Sequence, residues 1–316
     1  MNPPVNSPVQ DFDVTLALVM PDLPLDLVRT LLAVIDEGTF DAAAAALHVT
    51  PSAVSQRVKT LEQRTGRVLL LRTKPATPTA SGEIVVRFGR QLLQLERDTR
   101  ADLGMSDEGE PARLPIAVNA DSLSTWFIPA LTRVPDIHFE LHREDEGHTT
   151  ALLREGLVMA AVTSTPDPVQ GCLVRPLGHM RYLPTASPDF LARHLDGPLR
   201  AHIADAPVVV FDRRDDLQDR FARTRTGGRG ASHHRHHIPS SEGFVDAVAA
   251  GLGWGMVPQV QARPRIREGT LVDLAPDHPI DVPLYWQQWK LDSPTLAAAA
   301  RAIHDTAAQA LDQTRP

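Results

Sequence analysis

The chain has 316 residues, 42% apolar and 22% charged, with a formal net charge of −7 and a single cysteine. That length and composition suffice for two or three compact domains, and the overall acidity excludes indiscriminate binding to nucleic acid. One cysteine excludes an internal disulfide framework and fits a reducing compartment, so a cytoplasmic protein is expected, with Cys172 as a buried small hydrophobe.

Before Leu25 there is no Lys or Arg to form a basic n-region, and prolines and aspartates interrupt any apolar run. Residues 1–24 therefore read as a disordered N-terminal extension rather than a signal peptide, with Met1 and Met20 both open as the natural start. No apolar run approaches the ~18 residues of a membrane span.

A first helix is expected from about Leu25 to Glu37. The stretch "DAAAAALHVTPSAVSQRVKTLE" then gives a short alanine helix, a break at His48 and Val49, and a second helix capped by Thr50 with Pro51 in its first turn. Val54, Val58 and Leu61 share a buried face, leaving Ser52, Ser55, Gln56 and Lys59 outward. Two helices joined by a tight turn, the second rich in hydrogen-bonding groups, make a helix-turn-helix whose second helix enters the major groove. An ordinary amphipathic helix pair has the same pattern, but the flanks favour DNA. Between Thr50 and Lys74, Arg57, Lys59, Arg64, Arg67, Arg72 and Lys74 are set against one acid, Glu62. Pro51, Ser52, Ser55, Gln56, Arg57 and Lys59 are the candidate DNA-binding residues of this helix.

"GRVLLLRTKPATPTASG" predicts a hairpin wing, with a strand over Val68 to Leu71 and Arg72 and Lys74 at its edge, placed for phosphates or the flanking minor groove. This completes a winged helix-turn-helix domain over residues 25–81. Gly82 to Leu103 lacks proline and aligns Ile84, Phe88, Leu92, Leu95 and Thr99 on one stripe, as expected of a linker and dimerisation helix over 82–104. "GMSDEGEPARLP" marks a boundary.

Beyond it, "LPIAVNA", "SLSTWFIPALTRV", "IHFELHRED", "HTTALLREGLV" and "MAAVTST" alternate strand and helix with short loops, which predicts parallel strands in a doubly wound sheet. The alternation continues less regularly to a terminal helix, "TLAAAARAIHDTAAQAL". "GLGWGMVP" reads as a helix C-cap, a turn and a strand rather than a nucleotide fingerprint. The histidines 233, 234, 236 and 237 invite a metal reading, but neighbours on an extended segment point to opposite faces. A hydrated basic loop is favoured, and no metal or cofactor is expected.

These residues resemble a LysR-type transcriptional regulator. "FDAAAAALHVTPSAVSQRVKTLEQRTGRVLLLRT" is similar to that family's winged helix-turn-helix, and the α/β region to its effector domain. More narrowly, "VTPSAVSQRVKTLE", "NADSLSTWFIPAL", "EDEGHT", "SSEGF", "GLGWGMVP" and "YWQQWKL" resemble the LysG/ArgP subgroup, regulators of basic amino acid export. The N-terminal extension and the loop "TRTGGRGASHHRHH" depart from the pattern. The resemblance implies an α/β effector domain over 112–316, built of two subdomains of periplasmic-binding-protein type: subdomain I about 112–184 and 286–316, subdomain II about 185–285. It also implies promoter DNA as partner, lysine or arginine as effector, a homodimer or homotetramer, and activation of an exporter gene, with RNA polymerase as a further candidate partner.

In such a module the ligand sits beyond the carboxyl ends of the strands, between the subdomains. The first strand leads into "NADSLSTW", where Asp121, Ser122 and Ser124 are effector candidates, the serines holding a carboxylate if they do not merely cap the helix. The second ends in "REDEGH", where Glu144 and Asp145 suit a ligand ammonium if they are not simply a solvated turn. Trp126 and Thr163 are candidate walls. No cleft segment offers a Ser-His-Asp spacing or a cysteine beside a base, so no catalytic residue is named. An enzyme on a binding-protein fold and a DNA-compacting protein without an effector remain the alternatives.

Overall fold

The computed structural model describes residues 22–105, 112–143 and 149–313. The chain forms two compact units, residues 1–89 and 90–316.

The first unit holds α1 (Leu25–Asp36), α2 (Phe40–Ala46), α3 (Pro51–Thr65), β1 (Leu70–Leu71), β2 (Thr77–Pro78) and the start of α4 (Ala80–Asp102). Thr39 Oγ1 accepts the Ala42 N–H at 3.1 Å to start α2, and Thr50 Oγ1 accepts the Ala53 N–H at 3.2 Å to start α3, with Pro51 in the first turn. Between them His48 takes φ 53, the left-handed turn that ends one helix and aims the next. Gly66 closes α3 with φ 62. Val54, Val58 and Leu61 are buried, as are Val28 and Leu31 of α1. Each such side chain contributes about 1.5–3 kcal/mol of transfer free energy, and together they fix which face of α3 is left outside.

The wing is shorter than the sequence predicts, because its ladder pairs only Leu70 with Pro78 and Leu71 with Thr77. The Leu69 N–H is taken instead by the Glu62 carboxylate, at 2.9 Å. That acid therefore ties the wing to α3. Gly82 lets α4 begin against the wing, since a Cβ there would collide with the Leu69 carbonyl.

The second unit is built on a seven-stranded sheet in the order β10-β6-β11-β5-β3-β4, with β9 also paired to β6. Its first part runs β3 (Ala112–Val118), a helical segment, β4 (Ile137–Arg143), α7 (Thr149–Glu155) and β5 (Ala160–Thr163). The helical segment comprises α5 (Ala120–Ser122), a π-helical turn (Leu123–Phe127) and α6 (Ile128–Leu131). Here the expected parallel pairing is found: Val118 lies opposite Arg143, and Ile116 opposite both Leu141 and Ala160.

Beyond β5 this sheet continues with antiparallel pairs. Two long strands, β6 (Cys172–Ala186) and β11 (Ile280–Trp289), pair antiparallel with each other, and β11 with β5. Both pass through the expected boundaries at 184/185 and 285/286, and their register shifts between Leu284 and Tyr285. Between them in sequence lie α8 (Pro188–His194), α9 (Leu199–His202), β7 (Val208–Val210), α10 (Leu217–Thr226), β8 (Arg235–His237), α11 (Ser241–Ala249), β9 (Gly255–Pro258), α12 (Gln259–Arg267) and β10 (Val272–Asp273), and α13 (Pro294–Ala310) closes the unit. One core centres on Ile116, Phe127, Trp286 and Ile303, and a smaller one on Val209, Phe244, Val248 and Val257. This is an α/β unit of two lobes linked by crossing strands.

The four histidines are exposed, as expected of a hydrated segment, but part of it is a strand rather than a loop. Arg235 to His237 form β8, parallel to β7, and the Arg235 guanidinium is held by Asp219 at 2.9 Å. "GLGWGMVP" follows the expected helix end, turn and strand, with Gly251 at φ 81 before β9.

Candidate functional site

The outer face of α3 is what its buried stripe leaves over. Pro51, Ser52, Gln56 and Lys59 are exposed, and Ser55 and Arg57 are half-buried. On the wing, Arg72 and Lys74 are exposed, and Arg72 lies over the Phe40 ring at 5.3 Å from its centroid. That cation–π contact directs a cation that would otherwise sample many rotamers. Because Glu62 is bound to wing backbone, the cationic surface keeps little internal compensation.

In the second unit a cavity of about 310 Å³ opens at the carboxyl ends of β3, β5 and β7, lined among others by Asn119, Asp121, Ser164, Tyr182, Asp215 and Ser241. Its size lies at the lower end of the range for small-ligand sites. Asp121 sits at the start of the helical segment after β3. Its Oδ2 accepts the Tyr182 hydroxyl from β6 at 2.7 Å, and its Oδ1 the Ser241 hydroxyl from α11 at 2.6 Å. Burial raises its carboxyl above the ordinary aspartate range, the two hydrogen bonds oppose that rise, and the Glu242 charge adds to it.

Across the cavity, "FDRRDDLQDR" after β7 brings in Asp212, Asp215 and Asp216, together with Arg214 and Arg220. Asp215 Oδ2 accepts the Phe211 N–H at 2.8 Å and its Oδ1 the Leu217 N–H at 3.1 Å. Its carboxyl too is raised, first by burial and last by the negative charge of Asp121, against the hydrogen bonds that lower it. Two acids, each enclosed by protein and each penalised for ionising, thus share one cavity. Phe211, Phe244, Met256 and Leu217 supply apolar wall.

Of the effector residues expected from sequence, the structure brings Asp121 to this cavity. Ser122 lies beside it but is fully buried, with a hydroxyl that finds no partner among the described residues. Ser124 is exposed and holds Glu242, whose carboxyl is lowered first by that hydrogen bond. Trp126 and Thr163 are not walls of this cavity. The π-helical turn carries Trp126 to a separate depression, and Thr163 is spent on Gln287 at 3.3 Å and the Thr165 carbonyl at 3.2 Å. Glu144 and Asp145 lie outside the described residues. The acids after β7 were passed over in the sequence, although the rule applied to "REDEGH", acids at the carboxyl end of a strand, selects them equally.

Among the described residues no helix is long and apolar enough to cross a membrane.

Comparison with known proteins gives both units a family. Residues 25–83 match the bacterial regulatory helix-turn-helix proteins of the lysR family, and residues 107–308 the LysR substrate binding domain. The HTH-type transcriptional regulator LysG of Mycobacterium tuberculosis is 45% identical over 291 residues, 92% of this chain and 95% of that protein. The lysine export transcriptional regulatory protein LysG of Corynebacterium glutamicum is 44% identical over 288 residues, 89% and 97% of the two chains. The structure of full-length Corynebacterium glutamicum LysG with bound effector Arg superposes with a TM-score of 0.77 at 42% identity, over 92% of this chain and all of that one. With a winged domain, a two-lobed effector domain and relatives matched across nearly their whole length, this chain belongs to the LysR family of bacterial transcriptional regulators.

Proposed function

We propose that the protein is a cytoplasmic, sequence-specific regulator that binds promoter DNA through α3 and the wing, takes lysine or arginine into the cavity of its effector domain, and activates an amino acid exporter gene. One observation carries the effector class: Asp121 and Asp215 face one cavity, and both are pushed toward their neutral forms, first by burial and then by a nearby negative charge, that of Glu242 on Asp121 and that of Asp121 on Asp215. A ligand that brings a cation removes that penalty, while a neutral or acidic one leaves or deepens it. The relatives named for lysine export and solved with Arg support the same class.

In this reading Asp121 and Asp215 hold cationic groups of the effector, and Asn119 and Arg214 at the cavity wall are placed for its carboxylate. Glu144 and Asp145, which follow Arg143 in the sequence, are further candidates for its cationic groups. Ile84, Phe88 and Leu95 are exposed along α4, 61%, 40% and 38% respectively, and their burial against a second copy accounts for a dimer. The effector acts by binding one arrangement of the lobes better than another.

Binding of the protein to DNA from upstream of its own gene and of candidate exporter genes, read by footprinting with and without saturating arginine, lysine or citrulline, tests this. Footprints that change with arginine or lysine and not with citrulline are expected. An identical footprint in all conditions would leave a DNA-binding protein without this effector.

A further inference from the structure

The effector domain carries a second depression, of about 510 Å³, on the other side of the elements that wall the first cavity. Trp126, His179, Arg181, Val260, Arg263 and Gln309 line it. The larger opening is not filled by the function described above. Its chemistry also differs: where the first cavity gathers acids, this one gathers donors.

Trp126 is only 4% exposed, and its indole N–H meets no acceptor among the described residues. The ring thus lends the depression an apolar face and a spectroscopic reporter within its wall. His179 Nδ1 is likewise buried without a partner among the described residues. Arg263 is exposed and lines the same depression, while its neighbour Arg265 is the one held by Asp246. The acid in the lining, Asp312, is already held by Arg181 at 2.9 Å, so it adds no open negative site. Met180, Pro129, Val260 and Leu311 provide an apolar wall beside these groups.

We propose that this depression is a second ligand site, for a small organic carboxylate with an apolar body. The carboxylate meets the Arg263 guanidinium, and the body lies against Trp126, Met180, Val260 and Leu311. A carboxylate suits the planar guanidinium, and a cation would be repelled by it.

The site is also built to communicate with the first. Along β6, Tyr182 lines the acidic cavity, where it donates to Asp121, and its neighbour Arg181 lines the second depression. The helical segment repeats the pattern, with Asp121 in one site and Trp126 in the other, and Thr125 Oγ1 donating to the Asp121 carbonyl at 2.6 Å between them. Pro258 lines both. A ligand that moves Trp126 or β6 on one side thus shifts the hydrogen-bonded frame of Asp121 on the other, and by linkage the effect runs both ways.

The test is an indole N–H titration of the full-length protein by nuclear magnetic resonance, with the Trp126 signal identified by its loss in Trp126→Phe. Phenylacetate is the probe and phenylethylamine its charge-reversed counterpart. We expect a saturable shift of the Trp126 signal with phenylacetate, none with phenylethylamine, and at least tenfold weaker phenylacetate binding in Arg263→Gln, whose exposed side chain can be changed without unfolding the domain. Saturating arginine should change the phenylacetate affinity at least twofold. A Trp126 signal unmoved by phenylacetate, or one moved equally by phenylethylamine or in Arg263→Gln, would overturn the site, whatever arginine does in the first cavity. A normal site whose affinity is indifferent to arginine, in a protein shown to bind arginine, would overturn the coupling.

Discussion

The Tyr182 hydroxyl donates to Asp121 at 2.7 Å, joining a strand that crosses between the lobes to the first residues of the helical segment at the mouth of the effector cavity. Tyr182 is 2% exposed, so its hydroxyl has been taken from water and the bond is not readily replaced. Asp121 is therefore positioned by both lobes, through Tyr182 on β6 and Ser241 on α11. Tyr182→Phe removes one of two restraints on that carboxylate without opening a cavity. Arginine affinity, read by calorimetry, should fall by about 1–2 kcal/mol, roughly five- to thirtyfold, with DNA binding in the absence of effector retained. Unchanged affinity would show that the orientation of Asp121 does not matter.

Ionisation of the cavity acids should mark the stability of the ligand-free protein. Asp121 and Asp215 are raised in the folded state, so the folded form holds protons that the unfolded chain releases near pH 4. Their contribution is fully present below that pH and is lost as pH rises through the raised values. In Asp121→Asn the side chain is neutral throughout. The melting temperature of wild type relative to this variant should fall as pH rises from about 4, and saturating arginine should offset part of the fall in wild type alone. A wild type that gains on the variant with rising pH would contradict the assigned direction.

Gln56 is exposed on α3 near the end that starts at the Thr50 cap, where base edges are read. Gln56→Ala should cost about 1–3 kcal/mol on the operator and leave binding to random DNA nearly intact. Equal losses on both, in fluorescence anisotropy titrations, would place Gln56 on the backbone instead.

Arg72 and Lys74 are assigned to phosphates. Replacing each by Gln should weaken binding to operator and random DNA alike and make the log–log salt slope shallower by roughly one unit per lost contact. For Arg72 the change also removes the contact with Phe40, so a thermal melt should accompany it. A slope that does not move would take the wing off the DNA.

Glu144→Gln and Asp145→Asn test the acids of the "REDEGH" segment. A lost charged partner for a buried ammonium should cost about 2–5 kcal/mol of arginine affinity. Wild-type affinity in both variants would leave Asp121 and Asp215 as the cation seat.

The first unit was almost wholly legible because its determinants are local. Thr39, Thr50, Pro51 and Gly66 act within a few residues, and Val54, Val58 and Leu61 mark a face by spacing alone. What escaped there was Glu62: a lone acid among cations reads as charge balance, and only the fold shows it bonded to the Leu69 N–H seven residues on. In the second unit, β3 to β5 followed from alternation. The crossing strands did not, because β6 and β11 pair over a separation of about a hundred residues, and nothing local marks a pairing of that range. The same gap hid Tyr182 and Ser241 as partners of Asp121. Trp126 lines the second depression rather than the acidic cavity, and the π-helical turn that carries it has no local sequence mark.

The central claim is that a cation completes the pair of buried acids. Calorimetric titration of the full-length protein with arginine, and with citrulline, which keeps the shape but lacks the guanidinium charge, tests it most directly, repeated on Asp121→Asn and Asp215→Asn. The account predicts saturable arginine binding by wild type, at least a hundredfold weaker citrulline binding, and a loss of about 2–5 kcal/mol of arginine affinity in either variant. Citrulline binding as tightly as arginine, or arginine binding unaltered in both variants, would contradict it.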